Sequence, residues 1–176
     1  MNTRNPLWRF RRSHALTAAV LAAVAFGGCA GYRNESLFPS DIGSVYVEMF
    51  ENRTFWRDIE FDVTDAVSKR IEAQTPYKVV SSRDRADSVI TGQIVAVDQG
   101  IITRERQTGV ALERQVQLRA VVTWKNLSTG ELLVDAKSVS ASGSYSTLQQ
   151  QGFGYAAGIA ANNLAQRVVE LMEKPW

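Results

Sequence analysis

The chain has 176 residues, 45% hydrophobic and 22% charged, with one cysteine, one histidine and a formal net charge of +2. That is one domain's worth of sequence, long enough to bury a core without disulfides, which a lone cysteine cannot form within the chain. Beyond residue 28 there are 16 basic and 18 acidic residues, so the electrostatic footprint of a nucleic-acid binder is missing.

Arg4, Arg9, Arg11 and Arg12 precede an apolar run from Ala15 to Phe26, broken only by Thr17 and followed by Gly27 and Gly28. A basic start, an apolar stretch of about 7–15 residues and a small-residue exit describe a secretory signal peptide over residues 1–28. The run is well short of the roughly 20 residues a membrane-spanning helix needs. Cys29 follows directly. The junction resembles the bacterial lipobox, in which the cysteine thiol is diacylated, the chain is cut before it and the new amine is acylated. Phe26 departs from the aliphatic residue usual at that place. Ala30 stands where an aspartate would retain many such proteins in the inner membrane, which implies sorting to the outer membrane. An unmodified cysteine beside an ordinary cleavage site is the alternative, and Arg11-Arg12 leaves twin-arginine export open. Cleavage also removes His14, the only histidine.

Residues 29–43 form the acylated N-terminus and a turn-rich tether containing Gly31, Asn34, Pro39 and Gly43. Residues 44–176 then make a single domain. Ser44 to Phe50 alternates as a strand, with Val45, Val47 and Met49 on one side. Asn52-Arg53-Thr54 is the turn. From about Phe55 to Ala73, the positions Phe55, Ile59, Val63, Ala66, Val67 and Ile71 form one apolar helical stripe. Asp58, Glu60 and Asp62 near its start and Lys69 and Arg70 near its end suit the helix dipole. Thr75-Pro76 stops it.

Tyr77 to Val80 is a short strand. Ser88 to about Asp98 is a longer one, reaching Ile102 if it bends at Gly100. From Val110 to Lys125 the even positions are nearly all apolar and the odd ones mostly polar, the pattern of a half-buried antiparallel strand. Leu127-Ser128-Thr129-Gly130 turns it into Leu132–Ala141. Ser142 to Gly152 reads as a loop, and a final helix runs from about Gly154 to Glu173. The β-α-β-β-β-β-α order predicts an α+β fold, with two helices on one face of a four- to five-stranded, mostly antiparallel sheet. Gln115, Gln117, Arg119, Asp135 and Lys137 leave the other face polar.

Chemistry is sparse. Without histidine or cysteine the mature domain has no imidazole base and no soft metal ligand, and its only thiol, Cys29, is committed to the anchor. Asp58, Glu60, Asp62 and Asp65 read as a solvated helix face, and no calcium-loop spacing occurs. Gly152-Phe153-Gly154-Tyr155-Ala156-Ala157-Gly158 has GxGxxxG spacing rather than the dinucleotide fingerprint. Its small residues Gly154, Ala157, Gly158 and Ala161 suit a helix lying close on a sheet. Arg83 with Arg85, and Arg104 with Arg106, are basic loop pairs explained by solvation, with contact to an anionic lipid or barrel rim as the alternative. The expectation is a non-enzyme with no cofactor and no metal.

Several segments together resemble one family. Cys29-Ala30-Gly31-Tyr32 is similar to the mature start of the LptE lipopolysaccharide-assembly lipoproteins. Phe50-Glu51-Asn52-Arg53-Thr54 resembles that family's first turn, Glu72 to Val80 its helix exit and second strand, and Ala86 to Ile94 its "A-D-x-x-L-x-G-x-I" stretch. The resemblance implies a lipid-anchored protein on the periplasmic face of the outer membrane. It implies a plug and assembly partner of the LptD-type β-barrel that inserts lipopolysaccharide into the outer leaflet. On that basis the partners are the barrel, lipopolysaccharide and the outer membrane, with no nucleic acid. Arg119, Lys125 and Lys137, read as sharing the polar sheet face, are the candidates for glycolipid phosphate contacts; solvation alone explains them as well. The alternative function is a periplasmic adaptor or secretion-apparatus lipoprotein that binds only protein. A carboxylate enzyme is a third reading, and no facing acidic pair supports it.

Overall fold

The computed structural model describes residues 36–174, so the expected signal peptide over 1–28, the expected lipid attachment at Cys29 and the first part of the expected tether lie outside the described residues. Strands β1 (Ser44–Val47), β2 (Glu51–Asn52), β3 (Lys78–Val79), β4 (Ser88–Arg104), β5 (Ala111–Asn126) and β6 (Leu132–Ser146) form one sheet. Helices α1 (Ile59–Gln74) and α2 (Phe153–Leu171) cover one of its faces. The strand order is β3-β1-β4-β5-β6, with β2 pairing β4 beyond the end of β1. The sheet is mixed. β4, β5 and β6 are antiparallel and joined by turns, whereas β1 runs parallel to both β3 and β4. Parallel neighbours need a crossover, and α1 supplies it between β1 and β3.

The period-2 pattern of β5 is realised as expected. Val116, Leu118, Ala120, Val122 and Trp124 are buried beneath the helices. Val63, Val67 and Ile71 of α1 are fully buried, worth about 1.5–3 kcal/mol each. Trp124 Nε1 donates to Ser88 Oγ at 3.0 Å, and that hydroxyl donates to the Ser44 carbonyl at 3.2 Å. A polar chain thus satisfies the buried indole between three strands.

Several boundaries differ from expectation. The first helix begins at Ile59, not Phe55. Asn52 holds the intervening loop: its Oδ1 accepts from the backbone N–H and hydroxyl of Thr54, and its Nδ2 donates to the Trp56 carbonyl and to Glu60. Phe55 therefore leaves the apolar stripe and is fully exposed. The same helix ends late enough that no basic residue sits in its last turn; Lys69 pairs with Asp65 at 2.7 Å instead. Within the stretch read as a tether, Phe38 and Ile42 are buried in the core and Tyr77 Oη donates to the Pro39 carbonyl at 3.0 Å. β4 continues through Gly100 to Arg104, with irregularities in its pairing to β5 after Ile94, Ile101 and Thr103.

The supposed loop from Ser142 is strand as far as Ser146, followed by a 3-10 turn over Thr147–Gln149. Gly143 is the reason serine and glycine are used there. A Cβ on it would lie 2.3 Å from the Ala156 carbonyl oxygen of α2, so the helix rests directly on the strand backbone. On the helix side of that contact the alanines do the close packing: Ala156, Ala157, Ala160 and Ala161 are buried, while Gly154 and Gly158 have nothing within 4 Å of a built Cβ.

Candidate functional site

Two ends and one face of the domain carry its exposed chemistry. At one end the chain enters beside its own C-terminus: Lys174 N–H donates to the Leu37 carbonyl at 2.7 Å. Asp87 clamps the start of β1, accepting from the Ser44 hydroxyl and N–H, both at 2.8 Å, and from Gly43 N–H at 3.0 Å. The Ser44 hydroxyl, then the Gly43 amide, hold the Asp87 carboxyl below its ordinary value of 3.8. Burial, followed by the charge of Asp41, pushes the Tyr77 phenol well above its ordinary value.

From that end β4 runs 17 residues, about 50 Å of extended chain. Its last part and the start of β5 form an exposed arm. Gly109 at φ 70 closes the tip, with Glu105 N–H donating to Val110 O at 2.8 Å and Arg104 Nη1 to Gly109 O at 3.1 Å. Thr147 Oγ1 donates to Ala111 O at 2.7 Å and anchors the turn after β6 against the arm. Ile101, Ile102 and Val110 are exposed on this arm beside Arg104, Arg106 and Arg114. The loop held by Asn52 presents Phe55 at the helix N-termini, where Trp56 stacks on Phe153 with ring centroids 3.9 Å apart.

The remaining face is the uncovered side of the sheet. Arg119 and Lys125 lie on it six residues apart along β5, about 20 Å. Lys137 does not join them. It pairs with Val122, whose side chain faces the helices, and so belongs to the opposite side at the sheet edge. The cause is an irregularity in β6 between the partners of Val122 and Trp124, with Ala136 at φ 43. One extra residue reverses the side on which everything beyond it lies. Arg119 and Lys137 are exposed and Lys125 half-buried. No group of three or more acidic, histidine or cysteine side chains arranged for a metal occurs among the described residues, and no described helix is long and apolar enough to cross a membrane.

Arg104 and Arg106 are legible in the sequence as a basic loop pair, but the hairpin arm that carries them was not singled out. The signal for it was present, since alternating segments flank Gln107-Thr108-Gly109 on both sides, a hairpin pattern.

This architecture defines a two-layer α+β domain with one face of its sheet left uncovered by the helices. It recurs at low identity in solved structures. A hypothetical protein of Chlamydia trachomatis superposes with a TM-score of 0.53 at 10% identity, covering 73% of this chain and 94% of that one. The uncharacterized lipoprotein B of Nitrosomonas europaea gives 0.51 at 13%, covering 79% and 88%. These likenesses concern the fold alone. No curated protein matches the sequence. Residues 42–172 match the family described as LptE, lipopolysaccharide-assembly, and the chain belongs to that family. Its role is accordingly in lipopolysaccharide assembly at the cell envelope, and the family is not a known enzyme family.

Proposed function

We propose that the protein is an outer-membrane lipoprotein, anchored through acyl chains on Cys29 at the periplasmic face, that acts as plug and assembly partner of an LptD-type β-barrel. The observation that carries this reading, beyond family membership, is the open sheet face. It displays Gln115, Gln117, Arg119, Thr123 and Lys125 around Val121, and among the described residues no second hydrophobic layer lies over it, which suits the polar lumen of a membrane barrel. Lipopolysaccharide is amphipathic and phosphorylated, so its contacts need cations beside apolar surface. The arm offers Arg104, Arg106 and Arg114 next to Ile101, Ile102 and Val110. Arg119 and Lys125 are two separate cations on the open face, and Lys137 contributes from the sheet edge by itself.

The test is extraction of the tagged, lipidated protein from outer membranes in mild detergent, with mass spectrometry of what accompanies it. The reading expects a large β-barrel at near-equal amounts, retained in a Cys29→Ser variant carrying a cleavable signal. Recovery of periplasmic or inner-membrane proteins alone refutes the plug and favours the adaptor.

A further inference from the structure

β6 ends the strand order and is the outer edge of the sheet. Its register sets Ser138, Ser140, Ser142 and Ser144 opposite Val121, Arg119, Gln117 and Gln115. Two contacts fix which way these serine backbones point. Asn163 Nδ2 of α2 donates to the Ser142 carbonyl at 2.8 Å, and Ser146 N–H donates to Gln151 Oε1 at 3.0 Å. Residues two apart on a strand direct their N–H and C=O to the same side. Ser138, Ser140 and Ser144 therefore direct theirs outward too, and among the described residues these groups have no hydrogen-bond partner.

Sheet edges are normally blunted by charge, proline or bulges. β6 carries such devices only in its first half, with Asp135, Lys137 and the irregularity at Ala136. From Ser138 to Ser146 it has no charged residue, no proline and an unbroken register with β5. A groove runs beside this unguarded edge. Ser140 and Ser142 line it from the strand, and Asn163, Gln166, Arg167 and Glu170 line it from α2. It adjoins a second cleft reaching Ser138. A groove between an unpaired edge strand and a helix is the geometry in which a peptide adds as an extra strand.

We propose that the β6–α2 groove is a β-augmentation site for an extended, polar segment of a partner protein. An outward row of alternating donors and acceptors is complementary to one thing, an extended backbone. The groove is lined mainly by amide and ion-paired groups, with Arg167 Nη1 2.9 Å from Glu170 Oε2, so the segment's side chains are polar. Strands in the wall of a closed barrel have both edges already paired, which makes the occupant a tail or linker. Ser138 to Ser144 spans about 20 Å, room for roughly seven residues. This inference goes beyond the plug reading, and only the assignment of the occupant to a tail or linker rests on it.

The test is residue-resolved amide exchange on the full-length protein in detergent, using as probe a capped heptapeptide of alternating threonine and glutamine. At millimolar peptide, exchange at Ser138, Ser140, Ser142 and Ser144 is expected to slow about tenfold. The same peptide N-methylated at alternate residues is expected to have no effect. Ser140→Pro removes one outward N–H without touching the ladder to β5 and should abolish the response. Gln166→Trp, which fills the groove from the helix and leaves the strand unaltered, should do the same and covers the case in which the proline variant misfolds. The proposal is overturned by unchanged exchange with the plain peptide, or by equal slowing with the N-methylated one. It is also overturned by protection that rises with protein concentration alone, which would make a second copy the occupant.

Discussion

Gly143→Ala should unfold this domain more readily than its single added methyl suggests. The new Cβ would stand 2.3 Å from the Ala156 carbonyl oxygen, 2.8 Å from Ile159 Cβ and 2.9 Å from Ala160 N. Two of those three atoms are helix backbone, which cannot rotate away as a side-chain tip can. Relief requires α2 to withdraw by about 1 Å, loosening the contact of its buried alanines with the sheet, and overpacking of this kind costs about 1–3 kcal/mol. The upper end applies because backbone must move. Alanine returns about 0.5–1 kcal/mol by restricting the unfolded chain, which leaves a net loss of about 2 kcal/mol. For a domain of this size that is a fall in Tm of about 5–10 °C. Gly158→Ala is the control: it lies in α2 with nothing within 4 Å of its built Cβ, so it should gain about 0.5–1 kcal/mol. Thermal melts followed by circular dichroism on matched preparations read both. A Gly143→Ala melt within about 1 °C of the parent, or an equal fall for Gly158→Ala, would refute the close-approach argument.

Asp87→Asn should cost about 1 kcal/mol near neutral pH, discounted for the site's solvent exposure. Because the folded carboxyl titrates below 3.8, the aspartate's advantage is full above that value and lost as pH falls through the lower folded value, so parent and variant melts should converge in acid. Tyr77 is shifted the other way, and its stabilisation is full below the ordinary value of 10.0 and declines above it; ultraviolet titration of the parent against Tyr77→Phe should show Tyr77 still protonated above that value. Asn52→Ala should free the loop carrying Phe55 and cost about 1–3 kcal/mol through its four lost hydrogen bonds, with changed Trp56 fluorescence as its stack on Phe153 loosens; unchanged emission would count against the hub. Arg104→Ala with Arg106→Ala should weaken co-sedimentation with lipopolysaccharide severalfold while leaving recovery of the barrel intact, and equal binding by the double variant would remove the arm from the glycolipid site.

Much of the fold was legible because it is written in local periodicity. The strand from Val110 and the stripe Ile59-Val63-Val67-Ile71 each satisfy one period over many residues, and both elements occur where that pattern lies. The helix start was misjudged because Phe55 fits the stripe by spacing, while the hydrogen bonds of Asn52 override it. The end of β6 was misjudged because serine and glycine are poor strand formers, and what recruits them is the backbone of α2 pressing on Gly143. Of the candidate contacts, Arg119 and Lys125 share the uncovered face as their odd positions in β5 require. Lys137 does not, because parity along β6 is interrupted at Ala136.

The sequence by itself determined two amphipathic helices, a long alternating strand with its hairpin partner, and a run of polar side chains on the outer side of that strand. These are properties of neighbouring residues and need no knowledge of what they pack against. Only the tertiary structure decided that β1 pairs in parallel with β3 and β4, that the hairpin before Ala111 stands out as an arm, that Lys137 changes sides and that β6 leaves the outward backbone groups of Ser138, Ser140 and Ser144 unpaired among the described residues. Each of these is a matter of register or adjacency between segments distant in the chain. A one-residue offset, invisible to any local pattern, decides which face a side chain or a hydrogen-bonding group will occupy.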